Sequence, residues 1–177
     1  VWGGSGVQGF FGEGYWYHPY LEWSGLDFAG MTLVAKTMTL HPRAGNMPMR
    51  EDGFTPKERF PKCIAVRPFK GIALNVVGLP NAGAQDLLSR GIWQRLESPF
   101  FLSFMSVAET VDARLAELRA FVNVLLVAKA DFQSGFGLQI NFSCPNVRVQ
   151  HGHDELLDEI HRALDIAGEL EIPLVPK

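Results

Sequence analysis

Apolar residues fall along this chain in short blocks that alternate between two periods. Met31 to Thr39 (MTLVAKTMT) is an apolar run broken by one lysine, the pattern of a strand buried on both faces. Gly71 to Val77, Pro99 to Ser106, Leu138 to Phe142 and Ile172 to Val175 repeat it and predict four further strands. Between them the period changes to that of a helix. Gly78-Leu79-Pro80-Asn81 forms a turn into a helix over Ala82 to Gly91. Ser106, with Glu109 three residues on, reads as the capping box of a long helix. Val111, Leu115, Leu118, Phe121 and Val122 make that helix's buried face. Asp154 to Leu170 carries Leu156, Leu157, Ile160, Leu164 and Ala167 on one stripe and ends near Gly168. The opening Val1 to Tyr20, rich in glycine and aromatic residues, predicts loop with at most a short strand. His41 to Phe69, rich in proline and charge, predicts an irregular excursion with room for a hairpin.

Strands alternating with helices at this rhythm predict βα units and a parallel sheet, an α/β fold. Periodicity alone leaves open whether that sheet is a barrel or an open, doubly wound one. The chain has 177 residues, 47% apolar and 20% charged, which suits one domain with a sizeable core and excludes disordered and fibrous classes. A net charge of −3 implies no basic face, so no nucleic-acid partner is expected. Cys63 and Cys144 form no CxxC pair and no disulfide framework, which points to a reducing, cytoplasmic setting. Lys129 and Asp131 close the most apolar stretch, so no membrane span is expected. The chain opens at Val1 without the pattern of a signal peptide, and stops just after an apolar strand. A sheet edge left there would lack its next partner, so we expect a portion of a longer protein.

In a parallel α/β sheet, chemistry gathers beyond the carboxyl ends of the strands. Lys36 and Thr37 close the first predicted strand, Asn75 lies late in the second and Ser103 late in the third. Asn141, Ser143 and Cys144 finish the fourth, and Lys177 the fifth. Each has a plain alternative, since Asn and Ser close turns and a strand-end lysine can reach solvent. A lysine within an apolar strand must have its charge satisfied or lose it, and an anionic ligand or electron-rich ring would satisfy Lys36 and Lys177 together. Cys144, in Asn141-Phe-Ser-Cys-Pro-Asn146, could be a small buried hydrophobe, but its neighbours are polar and Pro145 stops the strand at once. Cys63 has no such company and reads as structural. Gly4-Ser5-Gly6-Val7-Gln8-Gly9 matches GxGxxG literally but follows no strand and opens no amphipathic helix, so it is not read as a dinucleotide fingerprint. His151, His153 and His161 show no metal-ligand spacing, and no metal is expected.

Several segments resemble the dihydroorotate dehydrogenases. These are Ser5-Gly6 with the following Gly-Phe-Phe-Gly-Glu-Gly, Ala35-Lys36-Thr37-Met38-Thr39 and Arg43-Ala-Gly-Asn46. Asn75-Val76-Val77-Gly78-Leu79-Pro80-Asn81 resembles that family's substrate loop, and Asn141-Phe-Ser-Cys144-Pro-Asn146 its catalytic loop. Pro173 to Lys177 resembles the strand carrying a flavin-contacting lysine. The matches run in family order over nearly the whole chain. The resemblance implies a partial (β/α)8 TIM barrel, about the first half to two-thirds, with residues 1–177 as a single incomplete FMN-binding domain. It also implies oxidation of dihydroorotate to orotate, a step of pyrimidine biosynthesis. Cys144 would take the C5 proton while hydride passes from C6 to N5 of FMN. Lys36 would lie beside flavin and substrate. Asn75, Asn141 and Asn146 would bind the pyrimidine, with the backbone around Val76, Val77, Gly78 and Leu79 closing on it. Ser5, Gly6, Lys36, Thr37, Asn141 and Lys177 would hold FMN. A cysteine base resembles the soluble class, in which a homodimer or an electron-transfer subunit is the partner to expect.

The chain departs from that pattern in places. The proline of Asn46-Met47-Pro48-Met49-Arg50 is shifted, Glu51 to Lys70 is longer than usual, and Ser103 stands where some members place an asparagine. Val147 to His153 lacks the family's glycine-rich pattern. A complete barrel needs roughly 250 residues, so the chain alone is expected to bind FMN poorly and turn over little. The competing readings are a barrel of the dihydropyrimidine dehydrogenase type, which also uses a loop cysteine, and a non-catalytic relative.

Overall fold

The structure, a computed structural model, describes residues 1–25, 27–143 and 153–177. Three strands, β3 (Phe100–Phe104), β4 (Phe136–Ile140) and β5 (Leu174–Pro176), lie parallel and in chain order. Helix α2 (Ala84–Ser89) precedes β3 in the chain, α3 (Val111–Ala128) lies between β3 and β4, and α4 (His153–Gly168) between β4 and β5. The rhythm of alternating periods therefore becomes two successive βα units, as expected. Among the described residues no sheet closes on itself.

Alternation along β3 decides which side each residue serves. Phe100, Leu102 and Phe104 are fully or almost fully buried in the core. Phe104 stacks on Phe121 of α3 with ring centroids 4.3 Å apart, so this set faces the helices. Directly paired strand residues share a face, which puts Ser103 in one row with Gln139 and Val175 on the opposite side of the sheet.

Helix α3 starts later than its sequence suggests. Thr110 is its N-cap, with Oγ1 accepting from Ala113 N at 3.2 Å. Ser106 does not cap it: its hydroxyl donates to Glu117 Oε2 at 2.6 Å and accepts from Ala108 N. A carboxylate nearly two helical turns into α3 captures the serine, and the next hydroxyl residue takes the cap. In α4 the buried line is Glu159, Ala163, Ala167 and, just past the helix, Leu170, whereas Leu157 is 44% exposed and leaves the expected stripe. The two alanines let α4 approach α3 closely, and Arg114 of α3 meets Glu159 within that contact.

Met31 to Thr39 runs parallel to β3 but is not a continuous strand. Val34 pairs with Phe101 and Met38 with Phe104, so the segment takes four steps where β3 takes three. The extra residue is a bulge at Ala35–Thr37, and it holds Lys36 at the strand's carboxyl end. Bulges re-aim side chains at sheet rims.

The largest correction concerns Gly71 to Val77. Instead of entering the parallel sheet as a buried strand, β2 (Ile72–Asn75) pairs antiparallel with β1 (Ile64–Arg67), and both are exposed throughout. Only a 3-10 turn at Pro68–Lys70 and Gly71, at φ +61°, separate the two strands. A connection this short permits antiparallel pairing and excludes the crossover a parallel pair needs. The opening segment also forms a short helix, α1 (His18–Trp23), where loop was expected. Among the described residues no helix is long and apolar enough to cross a membrane.

Candidate functional site

The loop from Ser5 to Tyr15 folds over Lys36. Gly6 N donates to Val34 O and Lys36 N donates to Gly9 O, which stitches the loop to the bulge from both sides. Gly6, at φ +79°, lies against the lysine stem, and a Cβ there would come within 3.2 Å of Lys36 Cβ. The Lys36 Nζ stands 5.2 Å from the Phe10 ring centroid. Among the described residues the ammonium has no hydrogen-bond acceptor and no ion pair. Burial pulls its pKa down to about 8, against the opposing attraction of Glu13 and Cys63.

Glu13 is held rigidly nearby, with its carboxylate accepting from Phe10 N at 3.0 Å and Phe11 N at 2.7 Å. Tyr15 donates its hydroxyl to Gly6 O at 2.8 Å. Burial, then Tyr17 and Glu13, push that phenol above its ordinary range, so it stays a donor. Ser5 Oγ donates to Ala35 O at 2.9 Å and lies 3.1 Å from Thr37 Oγ1, itself 2.9 Å from Ser103 Oγ. Since Ser5's one proton is committed to Ala35, the chain of hydroxyls runs Ser103 to Thr37 to Ser5.

Ser5, Gly6, Lys36, Asn75 and Val77 line one cavity of about 720 Å³. The hairpin thus places Asn75 on the wall of the lysine's cavity although β2 is outside the parallel sheet. Glu13, Tyr15, Tyr17, Arg50 and Arg59 complete much of its wall. Gly78 and Leu79 take left-handed backbone, at φ +72° and +57°, in a loop organised by the buried Asn81. Asn81 donates to Thr39 Oγ1 and Leu79 O and accepts from Gly83 N. Val76 donates its N–H to Cys63 O and Gly78 O accepts from Arg43, so both are engaged within the protein.

Other predicted residues stand apart. Asn141 is buried at the end of β4, where its Oδ1 accepts from Ser143 N, and lines a separate small cavity with Arg114 and Glu159. Lys177, the last residue of the chain, is exposed, and β5 lies at the edge of the three-stranded sheet. Its N–H donates to Ile140 O and its carbonyl accepts from Phe142, which keeps it beside Asn141 at the same end of the sheet. Cys144 and Asn146 lie outside the described residues. Cys63 is a free, buried thiol in keeping with a structural role. Gly4 to Gly9 forms turns and starts no helix. Among the described residues no group of three or more His, Cys, Asp or Glu side chains could hold a metal ion. Sequence reasoning missed Glu13, since nothing in the sequence reveals that it folds back onto two amides.

A parallel α/β sheet with a bulged, lysine-bearing rim beside a large cavity describes an α/β protein with a candidate ligand site. No family model matches the chain. It is 38% identical over 149 residues to the catalytic subunit of dihydroorotate dehydrogenase B (NAD(+)) from Desulforudis audaxviator (strain MP104C), a match covering 82% of this chain and 38% of that protein. By this match the chain is related to the dihydroorotate dehydrogenase family. It spans well under half the length of that relative.

Proposed function

We propose that this chain is the first half to two-thirds of an FMN-dependent (β/α)8 barrel that oxidises dihydroorotate to orotate, its 177 residues forming one incomplete domain. One observation carries this reading: a largely buried ammonium, Lys36, without an acceptor among the described residues, opens on a cavity shared with Ser5 and Asn75. A buried cation in that state favours an anionic or electron-rich partner. FMN fits the donor set and the space, with Ser5, Gly6, Lys36 and Thr37 as the residues of this rim that would hold it, and Asn141 and Lys177 at the neighbouring strand ends.

When bound, FMN supplies the hydride acceptor. The protein's own side chains do the rest. Cys144, as thiolate, takes the proton from C5 of dihydroorotate, which requires surroundings that favour its ionised form. Lys36 stabilises negative charge developing on the ring system, and Asn75, Asn141 and Asn146 orient the substrate's amides and carboxylate. The backbone from Val76 to Leu79 closes the substrate side. The relative is a catalytic subunit whose name carries NAD(+). By analogy this chain passes electrons through a partner subunit.

The test uses the full-length protein. It should purify yellow, convert dihydroorotate but not dihydrouracil, and after Cys144→Ala keep its flavin absorbance while losing at least about a hundredfold in rate near neutral pH. Undiminished oxidation by Cys144→Ala, or a preference for dihydrouracil, overturns the assignment.

A further inference from the structure

We infer that Glu13 is a positioning residue for Lys36, an anchored carboxylate that keeps the rim lysine charged and aimed into the cavity. The geometry is a closed loop. Lys36 N is tied to Gly9 O, and Gly6 lies against the lysine stem. The Phe10 ring faces Nζ. Glu13, from the same loop, is fastened by the amides of Phe10 and Phe11, the first of which carries that ring. Both oxygens accept from these amides, which fixes the direction of the carboxylate although Glu13 itself is exposed. Gly9 is part of the same fit, since a Cβ there would strike the Glu13 carboxylate at 2.2 Å.

Glu13 and Lys36 line the same cavity and are not in direct contact, which leaves the ammonium free to meet a ligand while it feels a fixed negative charge. Burial acts in the opposite sense, bringing Lys36 to about 8, and Glu13 is the largest of the groups opposing it. The other charged or titratable groups around this space are Cys63 beside the lysine, the cations Arg50, Lys57 and Arg59, Glu58, and Tyr15, Tyr17 and His18. Without Glu13 the lysine would hold its proton less firmly. Its importance for turnover rests on the function proposed above, but the coupling itself does not.

The test reads Lys36 directly. Full-length protein is treated with trinitrobenzenesulfonate over a pH series, and labelling at Lys36 is quantified by peptide mass spectrometry. In Glu13→Gln the reactivity profile should move to lower pH, and a fall of about one pH unit reads as roughly a fivefold gain in labelling at pH 7. Glu13→Asp, which keeps the charge, should stay closer to the parent. An unmoved profile in a folded Glu13→Gln protein overturns the inference, as does an equal shift in Glu13→Asp. Should Glu13→Gln fail to fold, the decision passes to Glu13→Ser, in which the labelling profile should move in the same direction. An unmoved profile there overturns it as well. A normal labelling result in a protein that never oxidises dihydroorotate would sink the proposed function and leave the Glu13–Lys36 coupling standing.

Discussion

Breaking the Arg114–Glu159 pair should cost this protein more than any surface ion pair. The two side chains are only 7% and 4% exposed, and they meet through Nε to Oε1 and a second guanidinium nitrogen to Oε2, both at 2.7 Å. Removing one partner of such a pair strands a buried charge, at about 3–5 kcal/mol. In Glu159→Ala the guanidinium would keep the carbonyls of Ala108 and Glu109, which places the expected loss near the lower end, about 3 kcal/mol. For a domain of this size that is roughly 6–12 °C in melting temperature. Urea unfolding of the full-length protein, followed by circular dichroism, measures it. Arg114→Met combined with Glu159→Leu should cost less than either charge-stranding single change, because no ion is left unpaired. The reasoning fails if Glu159→Ala stays within about 0.5 kcal/mol of the parent, the range of an ordinary surface substitution.

Three further outcomes follow from local geometry. In flavin-free protein, Lys36→Met should be stabilising by about 1–3 kcal/mol below pH 8. The folded lysine titrates near 8 and the free one at 10.5, so the advantage should fade as pH rises between those values in paired melting curves. Thr110→Ala should cost about 0.5–2 kcal/mol in chemical denaturation as the α3 cap is lost, and Ser106→Ala should leave the helix start unchanged by amide hydrogen exchange. Gly45→Ala should cost about 1–3 kcal/mol, measured by thermal melting, because Gly45 sits at φ +56° and its Cβ would meet Val77 O at 2.8 Å and Gly78 O at 2.9 Å.

The stretch from Phe100 onward was legible because its signals are local. Buried phenylalanines mark β3, Leu115, Leu118 and Phe121 mark the inner face of α3, and chain order equals strand order. The earlier stretch was not. Ile72 to Asn75 reads as a buried strand by composition, yet its partner is chosen by the short Pro68–Gly71 reversal, a matter of loop length rather than hydrophobicity. The bulge at Ala35–Thr37 adds one residue that no period reveals, and it decides where Lys36 stands. Ser5, Lys36 and Asn75, named from the sequence, line one cavity. Asn75 reaches it by a different element from the one expected. Glu13 escaped notice because its two bonds run to backbone amides, which carry no residue-type signature.

The most direct measurement is a crystal structure of the full-length protein with orotate. The pyrimidine should lie in the Lys36 cavity, between that ammonium and Asn75, with the Cys144 sulfur facing C5. Orotate bound elsewhere, or a Cys144 thiol turned into the packed interior away from Lys36, would contradict the whole account.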